Sequence, residues 1–248
     1  MAQERLDKII ASMGEYSRRE VKQLVKEGRV LVDGKLPRSA EEKYDAAAVE
    51  IRVNGAVLNY RSNTYVMLHK PAGYLSATED GRGATVLDLL TPQLRKIGVF
   101  PVGRLDKDTE GLLLLTDDGA LAHELLSPKK HVDKVYYARV SGRLTEEDCK
   151  AFAEGMTLGD GLECMPAGLE ILSAGEESEC LVTLREGKFH QVKRMLAARG
   201  APVEYLKRLS MGSLRLDENL APGEFRLLTA EELENLKTGQ NAEEKKQP

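Results

Sequence analysis

Apolar positions along the chain repeat with two different periods, and the period changes often. Near the start, Leu6, Ile9, Ile10 and Met13 recur at three- and four-residue spacing, which predicts a helix over 5–13. A second helix is predicted from Ser17. Ser17 and Glu20 stand at capping-box spacing, Val21, Leu24 and Val25 form the apolar stripe, and Gly28 stops it. "RVLVDGK" (29–35) and "VEIRVNG" (49–55) then alternate into Asp-Gly and Asn-Gly pairs, the signal of hairpin turns.

After a polar connector around 59–63, short strands alternate with helices. Strands are predicted at "TYVMLHKPAGY", ended by Pro71 and Gly73, and at "GLLLLT", "KVYYARVSG", "GLEILS", "CLVTLRE", "SLRL" and "FRLLT". Helices are predicted at "TVLDLL", "ALAHELLSP", "TEEDCKAFAEG", "FHQVKRMLAARG" and "AEELENLK", the last behind a Thr229/Glu232 capping box. This places a small domain over 1–60 and a larger one over 61–237. From 238 the composition turns polar, and residues 238–248 are expected to be disordered.

The 248 residues are 42% apolar and 31% charged, which fits a globular chain able to bury sizeable cores. No apolar run is long enough to span a bilayer, and "MAQERLDKII" has no leader-like stretch, so a cytoplasmic protein is expected. Cys149, Cys164 and Cys180 are odd in number and lack metal spacing, so they read as reduced core residues. No metal site is expected, because the histidines are scattered as well. A net charge of −4 does not advertise a nucleic-acid binder, but its distribution is uneven. Residues 1–40 hold nine bases against six acids. Arg18, Lys22 and Lys26 repeat every four residues and share one flank of the second helix.

The chemistry concentrates in "GRLDKDTEGLLLLTDDG" (103–119). Asp117 and Asp118 precede Gly119 and a helix, so a turn and a cap explain them. Asp108 fits a local loop hydrogen bond. Asp106 is different: it follows the probable strand "VFPVGRL", where Arg104 and Asp106 would share a face in extended chain. A guanidinium beside a carboxylate aims it and favours its charged form. The alternative is a structural ion pair. "Asp106-Lys-Asp108-Thr109" also matches the D-x-D-x-T pattern of aspartate-nucleophile phosphatases. That pattern calls for an uninterrupted apolar strand before the first Asp, and Gly103 and Arg104 break it.

Two resemblances organise these motifs. A capped basic helix, a Gly stop and "GRVLVDG", with "RLDK" opening the first helix, are similar to the S4 RNA-binding domain. The resemblance implies that Arg5, Lys8, Arg18, Arg19, Lys22, Lys26 and Arg29 hold the backbone of folded RNA, with salt-sensitive affinity. The longer string 103–119 resembles the catalytic motif of pseudouridine synthases. Its neighbours "VMLHKPAGYLSATED", "SPKKHVDKVYYARV", "LREGKFHQVKRMLAARG" and "LAPGEFRLLT" follow the family order over nearly the whole chain. The fold implied is α+β: a small N-terminal S4-like domain, then a catalytic domain built on a mixed, mostly antiparallel sheet flanked by helices.

By that resemblance Asp106 is the catalytic carboxylate. Arg104 pairs with it or fills the gap left by the displaced base, and Tyr136 stacks on the uracil, although Tyr137 is adjacent. Lys193, with Arg194 as a rival, pairs with Asp106. Leu196 or Met195 walls the pocket. His190 and Arg194 contact RNA, and Arg199 adds a phosphate contact. The basic position is Lys here and not Arg, a point charge in place of a fork. No external cofactor is implied, because the isomerisation changes no oxidation state and admits no outside group. "EGKFHQVKRM" looks closer to the small-subunit branch than to its large-subunit relatives, and that resemblance implies one uridine of 16S rRNA, position 516. The expected partner is ribosomal RNA or a subunit assembly intermediate, with no membrane and a monomeric chain. The other reading in play is a catalytically silent RNA-binding or assembly factor on the same scaffold.

Overall fold

The computed structural model describes residues 3–127 and 130–239. The chain divides into two compact units, Met1–Thr64 with Leu90–Val99, and Tyr65–Leu89 with Phe100–Pro248.

In the first unit, the opening helix spans Leu6–Ala11, shorter than its apolar period suggests, and Met13 lies beyond its end. Leu6, Ile9 and Ile10 are fully buried against Val21, Leu24, Val30, Val32, Ile51 and Val53. The second helix, Arg18–Lys26, carries the expected capping box, with Glu20 N donating to Ser17 Oγ and Ser17 N donating to the Glu20 carboxylate. Asp33 and Gly34 make the expected turn at positive φ, yet Val32 gains only a single bridge to Lys35 from it. The ladder partner of Val30–Val32 is Ile51–Val53 instead, and Asn54-Gly55 folds that strand back onto Ala56–Val57. Pairing a buried Val/Ile row outweighs the local turn signal. A further helix, Pro92–Ile97, is absent from the pattern-based assignment. Its punctuation is nonetheless present in "TPQLRKIG": a Thr91 cap, Pro at the first turn and Gly98 as the left-handed stop.

The second unit is built on a nine-stranded sheet. Its main path runs Gly168–Ser173, Glu177–Leu184, Lys134–Ser141, Val203–Met211, Glu110–Thr116, Tyr65–Lys70 and Phe225–Leu227. Leu214–Arg215 adds to Val203–Met211, and Phe100–Pro101 adds to Glu110–Thr116. Among the described strands of this sheet, only the Val203–Met211/Glu110–Thr116 pair is parallel, so the sheet is mixed and mostly antiparallel. Leu112 to Leu115 are all fully buried, which explains an unbroken leucine run where a half-exposed strand would alternate. Met67, Leu112 and Leu114 pack with Leu121, Leu125, Met211, Leu214 and Leu236 in one core.

The longest strand, Val203–Met211, runs against its local pattern. "VEYLKRLSM" carries Glu204, Lys207 and Arg208 where a central strand should be apolar. Arg208 is nevertheless buried, its Nε donating to the Leu112 carbonyl at 2.8 Å. Asp118 caps the helix Gly119–Leu126, as its position implies, accepting from Leu121 N and from the Tyr65 hydroxyl. The helix in "FHQVKRMLAARG" spans Gln191–Ala198, so Phe189 and His190 precede it. The closing helix, Ala230–Thr238, ends on Gly239 and so reaches into the start of the segment expected to be disordered; the tail from 240 lies outside the described residues.

Candidate active site

Asp106 sits in the loop between Phe100–Pro101 and Glu110–Thr116. That loop is bracketed by hydrogen bonds. Leu105 N donates to Ser76 Oγ and Ser76 Oγ donates to the Leu105 carbonyl, each at 3.0 Å. Thr109 N closes a turn onto the Asp106 carbonyl, and Gly73 N donates to the Lys107 carbonyl. Beneath the loop, the fully buried Lys70 donates to the carbonyls of Pro71 (3.0 Å), Lys107 (3.2 Å) and Thr109 (2.8 Å). Burial pushes the Lys70 ammonium down to about 8, against the upward pull of Asp108, Asp106 and Glu110. Gly111, at φ +104°, lets the next strand draw in: a Cβ there would stand 2.2 Å from the Arg208 carbonyl oxygen.

Two basic groups reach Asp106 from the segment around the Gln191–Ala198 helix. Lys193 Nζ lies 3.3 Å from Asp106 Oδ2, and His190 Nε2 lies 3.5 Å from Asp106 Oδ1. Lys193 is closer still to Asp108, at 2.6 Å from Oδ1. The Lys193 ammonium, donating to Asp108, holds that carboxyl below the usual carboxylate range. One lysine therefore bridges two acids of the motif. A cavity opens over this group, lined by Arg104, Leu105, Asp106, Tyr136, Leu184, His190, Val192, Lys193 and Leu206. Tyr136, on Lys134–Ser141, is nearly buried and faces it, whereas Tyr137 makes an edge contact with Tyr205. The arrangement is a carboxylate beside basic groups, at the mouth of a partly apolar cleft with an aromatic wall.

The structure thus brings together Asp106, Arg104, Tyr136, Lys193 and His190. Arg104 lines the cavity but makes no ion pair with Asp106 among the described residues, because 104–106 is loop and the shared face of an extended strand does not arise. Met195 and Leu196 do not wall the cavity. Both are fully buried on the helix's inward face, and the apolar wall is supplied by Leu105, Leu184, Val192 and Leu206. His190 stands at the helix N-cap, in the left-handed region at φ +50°, and not within the helix. Arg194 pairs with Asp160, which leaves the Asp106 contact to Lys193. Arg199 pairs with the buried Asp148 at 2.6 Å, so it is tied to the interior fold and is not a free phosphate contact.

In the first unit, Arg5 and Arg18 converge on the buried Asp7, Lys22 pairs with Glu41, Lys8 with Glu4 and Arg29 with Glu27. Arg19 and Lys26 are exposed and carry no ion pair among the described residues. Of the flank formed by Arg18, Lys22 and Lys26, two bases are already matched by acids. Three features of the catalytic unit lie beyond what the motifs indicate: Lys70, the Asp108–Lys193 contact and the exposed Phe189. Lys70 does have a signal, a lysine ending a largely apolar strand directly before Pro71.

Comparison with known proteins gives this geometry a family. The RNA pseudouridylate synthase family matches residues 64–198, and the S4 domain matches residues 4–45. A Bacillus subtilis protein described as an uncharacterized RNA pseudouridine synthase is 50% identical over 230 residues, covering 92% of this chain and 96% of its own. The ribosomal small subunit pseudouridine synthase A of Vibrio vulnificus is 38% identical over 94% of this chain and 99% of its own. The ribosomal large subunit pseudouridine synthase B of Bacillus subtilis is 37% identical over 96% of this chain and 99% of its own. A crystal structure of a pseudouridylate synthase, 36% identical, superposes with a TM-score of 0.66 over 94% of this chain and 99% of that one. A carboxylate cleft on a mixed sheet, a basic capped helix near the N-terminus and matches of this extent agree: the chain belongs to the RNA pseudouridine synthases that carry an N-terminal S4 domain.

Proposed function

We propose that the protein isomerises one uridine of ribosomal RNA to pseudouridine in the Asp106 cavity, and that this uridine is position 516 of 16S rRNA. The observation that carries the catalytic part is the convergence of Asp106, Lys193, His190 and Tyr136 on one cleft. The 16S assignment rests on the resemblance of "EGKFHQVKRM" to the small-subunit branch and on the similarity to the Vibrio small-subunit synthase.

The reaction breaks the N1–C1′ bond, turns the base and joins C5 to C1′. It consumes no oxidant and adds no group, so the chain's own residues suffice. Asp106 acts either as nucleophile at C1′ or as base at C2′, and the proton at C5 leaves to Asp106 or to water. Lys193 holds the carboxylate in place and offsets its charge, and His190 Nε2 lies beside its other oxygen. Tyr136 offers a ring face for the base, and Leu184 and Leu206 exclude water beside it. Extruding the base costs a few kcal/mol. Stacking on an aromatic face recovers roughly 1–3 kcal/mol of it. Phosphate contacts from Arg19, Lys26 and their neighbours on the N-terminal basic helix contribute further binding energy.

The test is to map carbodiimide-resistant uridines in rRNA from cells with and without this protein. Loss of one mark at 16S position 516 supports the assignment. Loss of a mark in 23S rRNA moves the target and leaves the chemistry standing.

A further inference from the structure

Phe189 is 71% exposed, the most exposed large apolar side chain among the described residues. Its ring stacks on His190 with centroids 3.8 Å apart and planes 18° from parallel. His190, held at φ +50°, reaches Asp106 with its other edge. The loop that carries both rings is anchored from inside. The buried Glu186 accepts from Gln191 Nε2 at 2.6 Å, from Met165 N at 2.9 Å and from Lys188 Nζ at 3.0 Å. Gln191 in turn accepts from Lys188 N at 3.0 Å. A left-handed non-glycine residue costs conformational energy, and the solvent-facing side of the phenyl ring gains no burial energy. Both make sense when a flat partner covers the outer ring face.

We infer that the Phe189–His190 stack is a platform for a nucleobase of the substrate RNA, the one next to the uridine that enters the Asp106 cavity. His190 links the two positions, since it touches Asp106 on one side and Phe189 on the other. Single-stranded or unstacked bases are recognised by stacking on aromatic faces held ready for them, whatever their sequence. A pre-ordered ring loses little freedom when the base arrives. The inference rests on the reading of the Asp106 cavity as the uridine site.

The chain contains no tryptophan, so Phe189→Trp places a single reporter at the platform. The probe is a stem-loop transcript around the uridine that the wild-type enzyme modifies. Indole emission is expected to be quenched as this RNA saturates the enzyme. Phe189→Ala and Phe189→Leu are expected to raise KM and Kd about ten-fold, within the range base–aromatic stacking supplies, with kcat changed far less. Phe189→Trp is expected to restore affinity, and all three variants to melt with the wild type, because the side chain is exposed. Unchanged emission at saturating RNA, wild-type Kd for the Ala or Leu variant, or quenching by ribosomal proteins and not by RNA would each overturn the inference. Repeating the titration with Asp106→Asn and Phe189→Trp combined separates the two readings. Product from that enzyme removes the role of Asp106 and leaves the quench interpretable. Absent quench in an inactive enzyme removes the platform alone.

Discussion

Lys70→Met replaces a fully buried ammonium by an apolar side chain of similar length. The wild-type lysine makes three charge-assisted hydrogen bonds to backbone carbonyls around the Asp106 loop. Such bonds are worth roughly 1.5–3 kcal/mol each, or about 4.5–9 together. Against this, burial lowers the ammonium from 10.5 to about 8, a cost to the charged form of roughly 3 kcal/mol. Lys70→Met leaves buried carbonyls without their donor, at roughly 1–3 kcal/mol for an unsatisfied group, and is expected to be less stable than the wild type near pH 7 by at least about that much. The pH dependence gives a sharper signature. Lys70 has a depressed folded pKa, so between about pH 8 and 10.5 the unfolded chain binds more protons than the folded one. Stability from this group therefore rises with pH across that window. The gap between wild type and variant should widen by up to about 3 kcal/mol from pH 8 to 10.5. Urea unfolding of both proteins at a series of pH values measures it. A gap that stays constant or narrows would refute the account of Lys70, as would a variant as stable as the wild type.

Other consequences can be tested independently. Lys193→Met should lower kcat by roughly 10–150-fold, the effect of removing one charge-assisted contact to Asp106, while RNA affinity changes little; single-turnover kinetics at saturating RNA would show it. Tyr136→Leu should cost roughly 5–150-fold in kcat/KM, the range of one base stack, whereas Tyr136→Phe, which keeps the ring, should cost far less. Replacing Arg19 and Lys26 together by Ala should weaken RNA binding and lessen the slope of log Kd against log salt by about one for each phosphate no longer neutralised, whereas replacing Arg5 should instead destabilise the first unit by leaving Asp7 with Arg18 alone. A filter-binding salt titration and a thermal melt distinguish the two.

How much of the fold is legible in the sequence follows from the range of the interactions involved. The capping boxes at Ser17/Glu20 and Thr229/Glu232 are contacts three residues apart, and both form as their spacing implies. The leucine run at 112–115 announces a strand buried on both faces. Val203–Met211 is hidden because its charges find uses that only the fold supplies. Arg208 serves a carbonyl nearly a hundred residues away, so its polarity misleads any local pattern. The same limit applies at the site. Motif order points to Asp106, Tyr136 and Lys193, and the cavity collects all three. The apolar wall differs from expectation, because Met195 and Leu196 share the helix with Lys193 but face its buried side. Whether helix residues line a cleft or a core depends on the rotation of the helix against the sheet. That rotation is set by long-range packing and is absent from the local spacing. The bridging of Asp106 and Asp108 by one lysine is likewise a tertiary contact, with no counterpart in either segment taken alone.

The central claim is that one carboxylate, Asp106, carries out the rearrangement. Asp106→Asn keeps the size and most of the shape of the side chain. The direct measurement is tritium release from rRNA transcribed with C5-labelled uridine, alongside a binding titration with the same RNA. The account predicts wild-type folding, RNA affinity within a few-fold of wild type and no release above background. Release at a rate near that of the wild-type enzyme would contradict it.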